Sequence, residues 1–308
     1  MHPLRVIVFP GGFNLPLWFG IHCGAFAKQN LDIQLHFTTS SVQQMTGLLR
    51  GEWDVGLTGF DNVVAYQEGQ GEAEIEGEPD LFAFMGGDNA FLRIVVQPDI
   101  ESYGDLRGKS LSVDALTTGF AFVLRKMLAL NGIAEHDVTF ERVGGVMQRF
   151  QALKEGKHAG TLLLTPFDLI AQKLGMRVLQ SASDVLPHYQ GVAGAARRSW
   201  AKANADVLAG FIRGYVETLD QLYSRDNEDQ ACALLVEKVP NMSPELARAT
   251  YRVLVAEKTG FEPKARLDLE GIETVLKLRS EYGRPQKVLS DIRKYDDLSY
   301  YERAIGAT

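Results

Sequence analysis

Three short loops carry the polar residues best suited to holding a small solute. The first is Thr38-Thr39-Ser40-Ser41, four hydroxyls directly ahead of a helical pattern. Hydroxyls and the free N–H groups of a helix start together suit a carboxylate, a sulfonate or another polar group. A helix start alone asks for a single cap, Ser40 or Ser41, so four hydroxyls exceed that need. The second loop is Thr58-Gly59-Phe60-Asp61-Asn62. Gly59 lets backbone approach a ligand, Phe60 offers a stacking face and Asp61 an acceptor, or else Thr58 or Asp61 simply caps the next helix. The third runs from Asp114 through Thr117, Thr118 and Gly119 to Phe120, again at a helix start. Gly144-Gly145 and Thr165-Pro166-Phe167 are expected to complete the wall, though each also reads as an ordinary turn. Phe13 and Asn14 face the same opening, and Asp88 joins Asp114 at a strand end, where solvation or capping is the plainer role.

Nothing in the sequence equips these loops for catalysis. The six histidines, His2, His22, His36, His136, His158 and His188, show no His-x-x-x-His or other metal spacing. A Gly-x-Ser-x-Gly elbow and a phosphate-binding Gly-x-x-x-x-Gly-Lys loop are both missing. The two cysteines, Cys23 and Cys232, form no Cys-x-x-Cys pair and read as isolated buried thiols. The expectation is a protein that binds a small molecule without a metal or cofactor and without transforming it.

These loops need strands that end at one place. Residues 4–9 alternate as a strand, broken by Pro10-Gly11-Gly12, and a helix is expected over 14–28 with Leu15, Trp18, Phe19, His22 and Phe26 on its buried face. Strands at 32–37 and 54–57 follow, separated by a helix over 42–50 that Gly51 stops, and a short helix covers 62–67. Strands alternating with helices indicate parallel βαβ units, whose ligands sit beyond the carboxyl ends of the strands. Residues 69–80, with Glu72, Glu74, Glu76, Glu78 and Asp80, read as a solvated surface loop. Strands at 81–86 and 91–97 close this block and leave it. A second block repeats the pattern, with strands at 111–113, 138–143, 160–164 and 177–180 and helices ending near 130, 155 and 174. The strand at 192–196 returns to the first block. Helices at 199–225, 226–238, 244–256, 267–282 and 296–304 complete the chain, the last lying against the first lobe. Asn241-Met242-Ser243, followed by Pro244, reads as a helix start.

A chain of 308 residues suits two lobes, and 45% hydrophobic with 23% charged residues is an ordinary globular composition. The net charge of −7, without a basic stripe, argues against nucleic acid as partner. No apolar run approaches the ~20 residues of a membrane span, and the amino terminus lacks the regions of a signal peptide.

The order of elements, with several local strings, resembles the type 2 periplasmic solute-binding fold. Within it the chain is similar to the nitrate, sulfonate, taurine and thiamine-precursor (NMT1/THI5-like) group. Phe13-Asn14-Leu15-Pro16 opens the first helix, and Gly51-Glu52-Trp53-Asp54-Val55-Gly56 precedes the third strand. Asp105-Leu106-Arg107-Gly108-Lys109 is similar to the group's hinge-side DLKGK string, and Arg197-Arg198-Ser199-Trp200-Ala201 to its return into the first lobe. The resemblance implies an α/β protein of two lobes, each a mostly parallel sheet flanked by helices. Residues 1–92 and 193–308 would form lobe I and residues 93–192 lobe II, joined by two crossovers that hinge closed on a ligand. It makes Thr117, Thr118 and Gly119 the second anion-gripping position. It also implies an ABC permease as partner and a periplasmic location, which requires a leader not seen here; a cytoplasmic ligand sensor is the alternative. A thiamine-pyrimidine synthase on the same fold is the enzyme alternative, but its cysteine-rich motif is missing. Asp61, Asp88 and Asp114 would penalise a bare anion. The ligand expected is therefore a small polar organic molecule with an amine or ring N–H, such as an aminopyrimidine or a zwitterion, and otherwise a sulfonate-like anion.

Overall fold

Alternating apolar residues and well-placed helix stops build the framework much as the sequence suggests. In the computed structural model, which describes residues 1–75 and 77–306, the chain begins with β1 (His2–Val8), α1 (Leu15–His22), β2 (Leu31–Phe37), α2 (Ser41–Arg50), β3 (Val55–Gly59), α3 (Phe60–Gln67) and β4 (Leu81–Gly86). It crosses into β5 (Arg93–Val96), β6 (Ser110–Val113), α4 (Gly119–Leu130), β7 (Thr139–Arg142), α5 (Val146–Lys154), β8 (Gly160–Leu163), α6 (Phe167–Lys173) and β9 (Arg177–Ser181). It returns through β10 (Val192–Arg197) to α7 (Arg198–Ala203), α8 (Ala205–Tyr223), α9 (Glu228–Lys238), α10 (Pro244–Leu254), α11 (Leu269–Tyr282) and α12 (Ser299–Ile305).

The strands form two five-stranded sheets, ordered β2-β1-β3-β10-β4 and β7-β6-β8-β5-β9. In the first, β1 pairs in parallel with β2 and β3, and β10 lies antiparallel between β3 and β4. The second repeats the design, with β6 parallel to β7 and β8 and the crossing strand β5 antiparallel to β8 and β9. Each sheet therefore keeps four strands in one direction and accepts one reversed strand from a crossover. The α/β two-lobed architecture follows.

Several helices differ from expectation for local reasons. The first helix ends at His22 rather than running to 28. Gly24 takes a φ of +76°, and the N–H groups of Gly24 and Ala25 donate to the Ile21 and Gly20 carbonyls, a Schellman stop. The single helix expected over 199–225 is two, α7 and α8, because the Asn204 side chain donates to the Trp200 carbonyl at 2.9 Å and its backbone leaves the helical region. Ser40, rather than Ser41, caps α2 by accepting from the Gln43 N–H. Ser243 caps α10 by accepting from the Leu246 N–H.

Two apolar clusters hold the molecule. One packs α1 and α8 to α10 on a face of the first sheet, around Phe19, Phe26, Phe84, Phe211 and Leu235. The other runs continuously from Phe60 and Val64 through Ile272 and Leu276 to Phe122 and Leu163, so α11 is packed against both α3 and α4. Trp18 belongs to the first of these cores. Cys23 and Cys232 are free thiols, half-buried and buried. No helix of the described residues is long and apolar enough to cross a membrane.

Candidate functional site

The carboxyl ends of the strands in both sheets meet at a cleft that opens to solvent. From the first lobe come Phe9 just past β1, Phe13 and Asn14 ahead of α1, and Ser41 at the start of α2. Leu57, Thr58 and Gly59 close β3 on the same wall, followed by Asp61 and Asn62. The second lobe contributes Asp114 after β6, Thr118, Gly119 and Phe120 at the start of α4, and Gly145, Val146 and Arg149 on α5. Asp88, Val192 and Tyr215 line the hinge side.

Of the residues anticipated from sequence, Phe13, Asn14, Ser41, Gly59, Asp61, Asp88, Asp114, Thr118, Gly119 and Gly145 share this cleft. The others lie elsewhere. Thr38 is tied into its own loop, accepting from the Ser40 N–H and donating to Gln43. Thr39 uses its carbonyl to accept from Gly145 N–H at 3.1 Å, and Ser40 is spent as a cap. Phe60 is buried in the core beneath β3, and Thr165 is buried behind the wall. Gly144 turns at φ +105° beside the cleft, its carbonyl accepting from Arg149.

Asp61 changes character most. Arg279, fully buried on α11, donates Nε and Nη2 to the two Asp61 oxygens, each at 2.6 Å. Its Nη2 also donates to the Thr117 carbonyl at 2.7 Å. Asp61 is thus committed to a bidentate pair instead of standing free as an acceptor for a solute. The acidic loop departs from expectation too. Glu72, only 9% exposed in its side chain, accepts from the Thr117 N–H and hydroxyl at 2.8 Å each and pairs with Arg142 at 2.8 Å. At least this part of residues 69–80 is held by Thr117 and Arg142 on the opposite lobe; Glu76 lies outside the described residues.

Three charged groups remain. Arg149 is 3% exposed, donating to the Gly144 and Leu162 carbonyls at 2.9 and 3.2 Å. Burial pushes its pKa down, and nearby Asp114 pulls it back up. Burial pushes the Asp114 carboxyl up, against the pull of Arg149 and the Ser41 hydroxyl. Asp88 is pushed up to about 6 by burial, although the Val192 and Ala90 N–H groups hold it down. Residues that sequence reading missed include Phe9, Arg149 and Tyr215, while Asn62 and Phe120 end two of the candidate loops without being singled out as contacts. Arg149 lies one turn past Gly145 and was legible in principle as the next residue on that helix's cleft-facing side. Tyr215 sits mid-helix on an amphipathic face and carries no local signal. Among the described residues no cluster of three His, Cys, Asp or Glu side chains can hold a metal ion.

A two-lobed α/β architecture with its cleft at the strand ends is the periplasmic-binding-protein fold. The NMT1/THI5-like family matches residues 15–228, and the chain belongs to that family. A protein of Bordetella bronchiseptica RB50 superimposes with a TM-score of 0.82 at 18% identity, over 99% of this chain and 98% of that one. The periplasmic nitrate-binding protein NrtA from Synechocystis PCC 6803 gives 0.81 at 12% identity, over 100% and 89%. The alkanesulfonate-binding protein SsuA from Xanthomonas axonopodis pv. citri, bound to MOPS, gives 0.74 at 17% identity, over 95% and 96%. No curated protein sequence matches significantly.

Proposed function

We propose that this chain captures a small polar organic solute between its lobes and hands it to an ABC-type permease. The lobes are taken as residues 1–92 with 193–308 and residues 93–192, and a periplasmic location goes with this role. The observation that carries the reading is a cleft walled by both lobes in which the lobes also touch. Gly145 donates to Thr39 across it, and Glu72 reaches over to Thr117 and Arg142. Such a contact pattern suits closure around a ligand. Likeness to nitrate-binding and alkanesulfonate-binding proteins supports uptake as the purpose.

The lining favours an organic body over a bare inorganic anion. Phe9, Phe13, Leu57, Phe120, Val146 and Leu164 give apolar surface for a body, and polar groups from both lobes and the hinge side fix its ends. Asp88 and Asp114 add negative charge that a nitrate-like ion would have to overcome, while Arg149 suits a polar or anionic tail. An amine-bearing or zwitterionic solute satisfies both. Capture rather than conversion is the reading we adopt, with Asp61 held by Arg279 instead of standing free for proton transfer. Mass spectrometry of natively purified protein, followed by thermal-shift assay with the recovered molecule, tests the reading. A stoichiometric small molecule that stabilises the stripped protein is the expected result. A protein that neither retains nor responds to any solute in a screen of amines, amino acids, pyrimidines and sulfonates refutes it.

A further inference from the structure

At the hinge end of the cleft lie two buried polar groups that the protein leaves half-used. Asp88 is 6% exposed. Its Oδ1 accepts from the Ala90 N–H at 2.7 Å and the Val192 N–H at 3.1 Å, while Oδ2 has no hydrogen-bond partner among the described residues. Tyr215 is 2% exposed and lines the same cleft, and its hydroxyl likewise has no partner among the described residues. Both line the one cleft, where burial first and the Asp88 charge second push the phenol up. Neither atom is sealed off from the cleft, so water or a bound solute supplies the hydrogen bonds that the protein itself leaves unmade.

The position of Asp88 gives this pair a second property. Ala90 belongs to the crossover leaving the first lobe and Val192 to the one returning. Asp88 also ties the two through its backbone, since Gly191 N–H donates to its carbonyl at 2.9 Å. One carboxylate thus holds both interlobe connections and presents its free oxygen to whatever occupies the cleft.

Resting on the solute-binding reading, we propose that Asp88 and Tyr215 form the specificity-determining subsite and that it selects a solute with a protonated nitrogen head. The nitrogen donates to Asp88 Oδ2, the Tyr215 hydroxyl supplies a second contact, and the apolar walls at Phe13 and Phe120 take the body. A bare anion cannot make the first contact, because the oxygen it would meet is itself an acceptor. Because the same carboxylate grips both crossovers, a cation bound to it strengthens the point about which the lobes turn.

The test uses two probe series sharing one aromatic body: benzylamine, benzamidine and phenylguanidine against benzoate and benzenesulfonate. Affinities are measured by calorimetry on the solute-stripped full chain. Wild type should bind the cationic series in preference to the anionic one. Asp88→Asn leaves one carbonyl oxygen for the Ala90 and Val192 N–H groups but turns an NH₂ toward the solute. It should weaken the cationic series by about tenfold or more and leave the anionic series equal or tighter. Tyr215→Phe should weaken the cations by roughly threefold to tenfold. Three results overturn the proposal: no cationic probe binds wild type, the anionic series binds better, or Asp88→Asn lowers both series equally, as a purely structural role would. The solute-binding reading is judged separately, by the molecule recovered from native protein, and survives any of these if that molecule binds.

Discussion

Asp88 and Asp61 look alike in the sequence, yet tertiary surroundings give them opposite assignments. Asp61 lies between its own helix and the Arg279 guanidinium, so its charge is neutralised before any solute arrives. Replacing Arg279 by Met strands a buried carboxylate and should cost about 3–5 kcal/mol. Asp61→Asn combined with Arg279→Met should recover most of that loss, as urea denaturation of the wild type and the two variants will reveal. Asp88 has two N–H donors but no cation, and burial lifts its pKa from 3.8 to about 6. Between those values the folded state keeps a proton that the unfolded chain releases, so the contribution of Asp88 to stability is lost as pH rises through that window. Relative to Asp88→Asn, the ligand-free wild type should therefore become less stable by on the order of 2–3 kcal/mol between pH 4 and pH 7. Matched urea melts of the two proteins at several pH values check this, and a difference that stays flat would mean the carboxylate is better solvated than its burial implies.

The acidic loop and α11 are the elements that tie the lobes together. Glu72 caps the loop ahead of α4 from the other lobe, and Arg279 donates to the Thr117 carbonyl from α11. Closure also depends on Gly119, where a methyl group would sit 2.4 Å from Asp61 Cγ. That is far inside contact distance, and the first turn of α4 would have to withdraw. Gly119→Ala is expected to leave each lobe folded but hold the cleft ajar, with a larger radius of gyration by small-angle scattering and weaker solute binding. Glu72→Ala should act in the same direction more mildly, because only the cross-lobe bonds to Thr117 and Arg142 are lost. An unchanged scattering profile for both variants would show that these contacts follow closure without governing it.

Over the whole molecule, each of the two sheets takes in one reversed strand from a crossover, and the cleft lies where the strand ends converge. Solute bound there favours the closed arrangement by mass action. At a hundredfold excess over the dissociation constant, the folded protein gains about 2.7 kcal/mol. For a chain of this size that corresponds to roughly 5 °C in midpoint temperature. Stripping the native solute should lower the melting midpoint by about that amount and expand the molecule in scattering, and adding it back should reverse both changes.

The order of strands and helices, the two-block repeat, the return crossover and the helix stop at Gly51 are all legible along the chain. These depend on apolar periodicity and on backbone freedom at single residues, which are local properties. The sequence also marked loops such as Ser41, Thr118 and Gly145 that open into the cleft. It did not separate them from neighbours such as Thr39, Thr117 and Thr165, because one residue's difference along a loop decides whether a side chain meets solvent, core or cleft. Only the tertiary structure decided the charges. Arg279 reaches Asp61 from 218 residues away, Glu72 crosses between lobes, and Tyr215 joins Asp88 in lining the cleft from the middle of a helix that otherwise reads as core. The strength of a charge depends on what else is buried within a few ångströms of it, and no pattern along the chain records that distance.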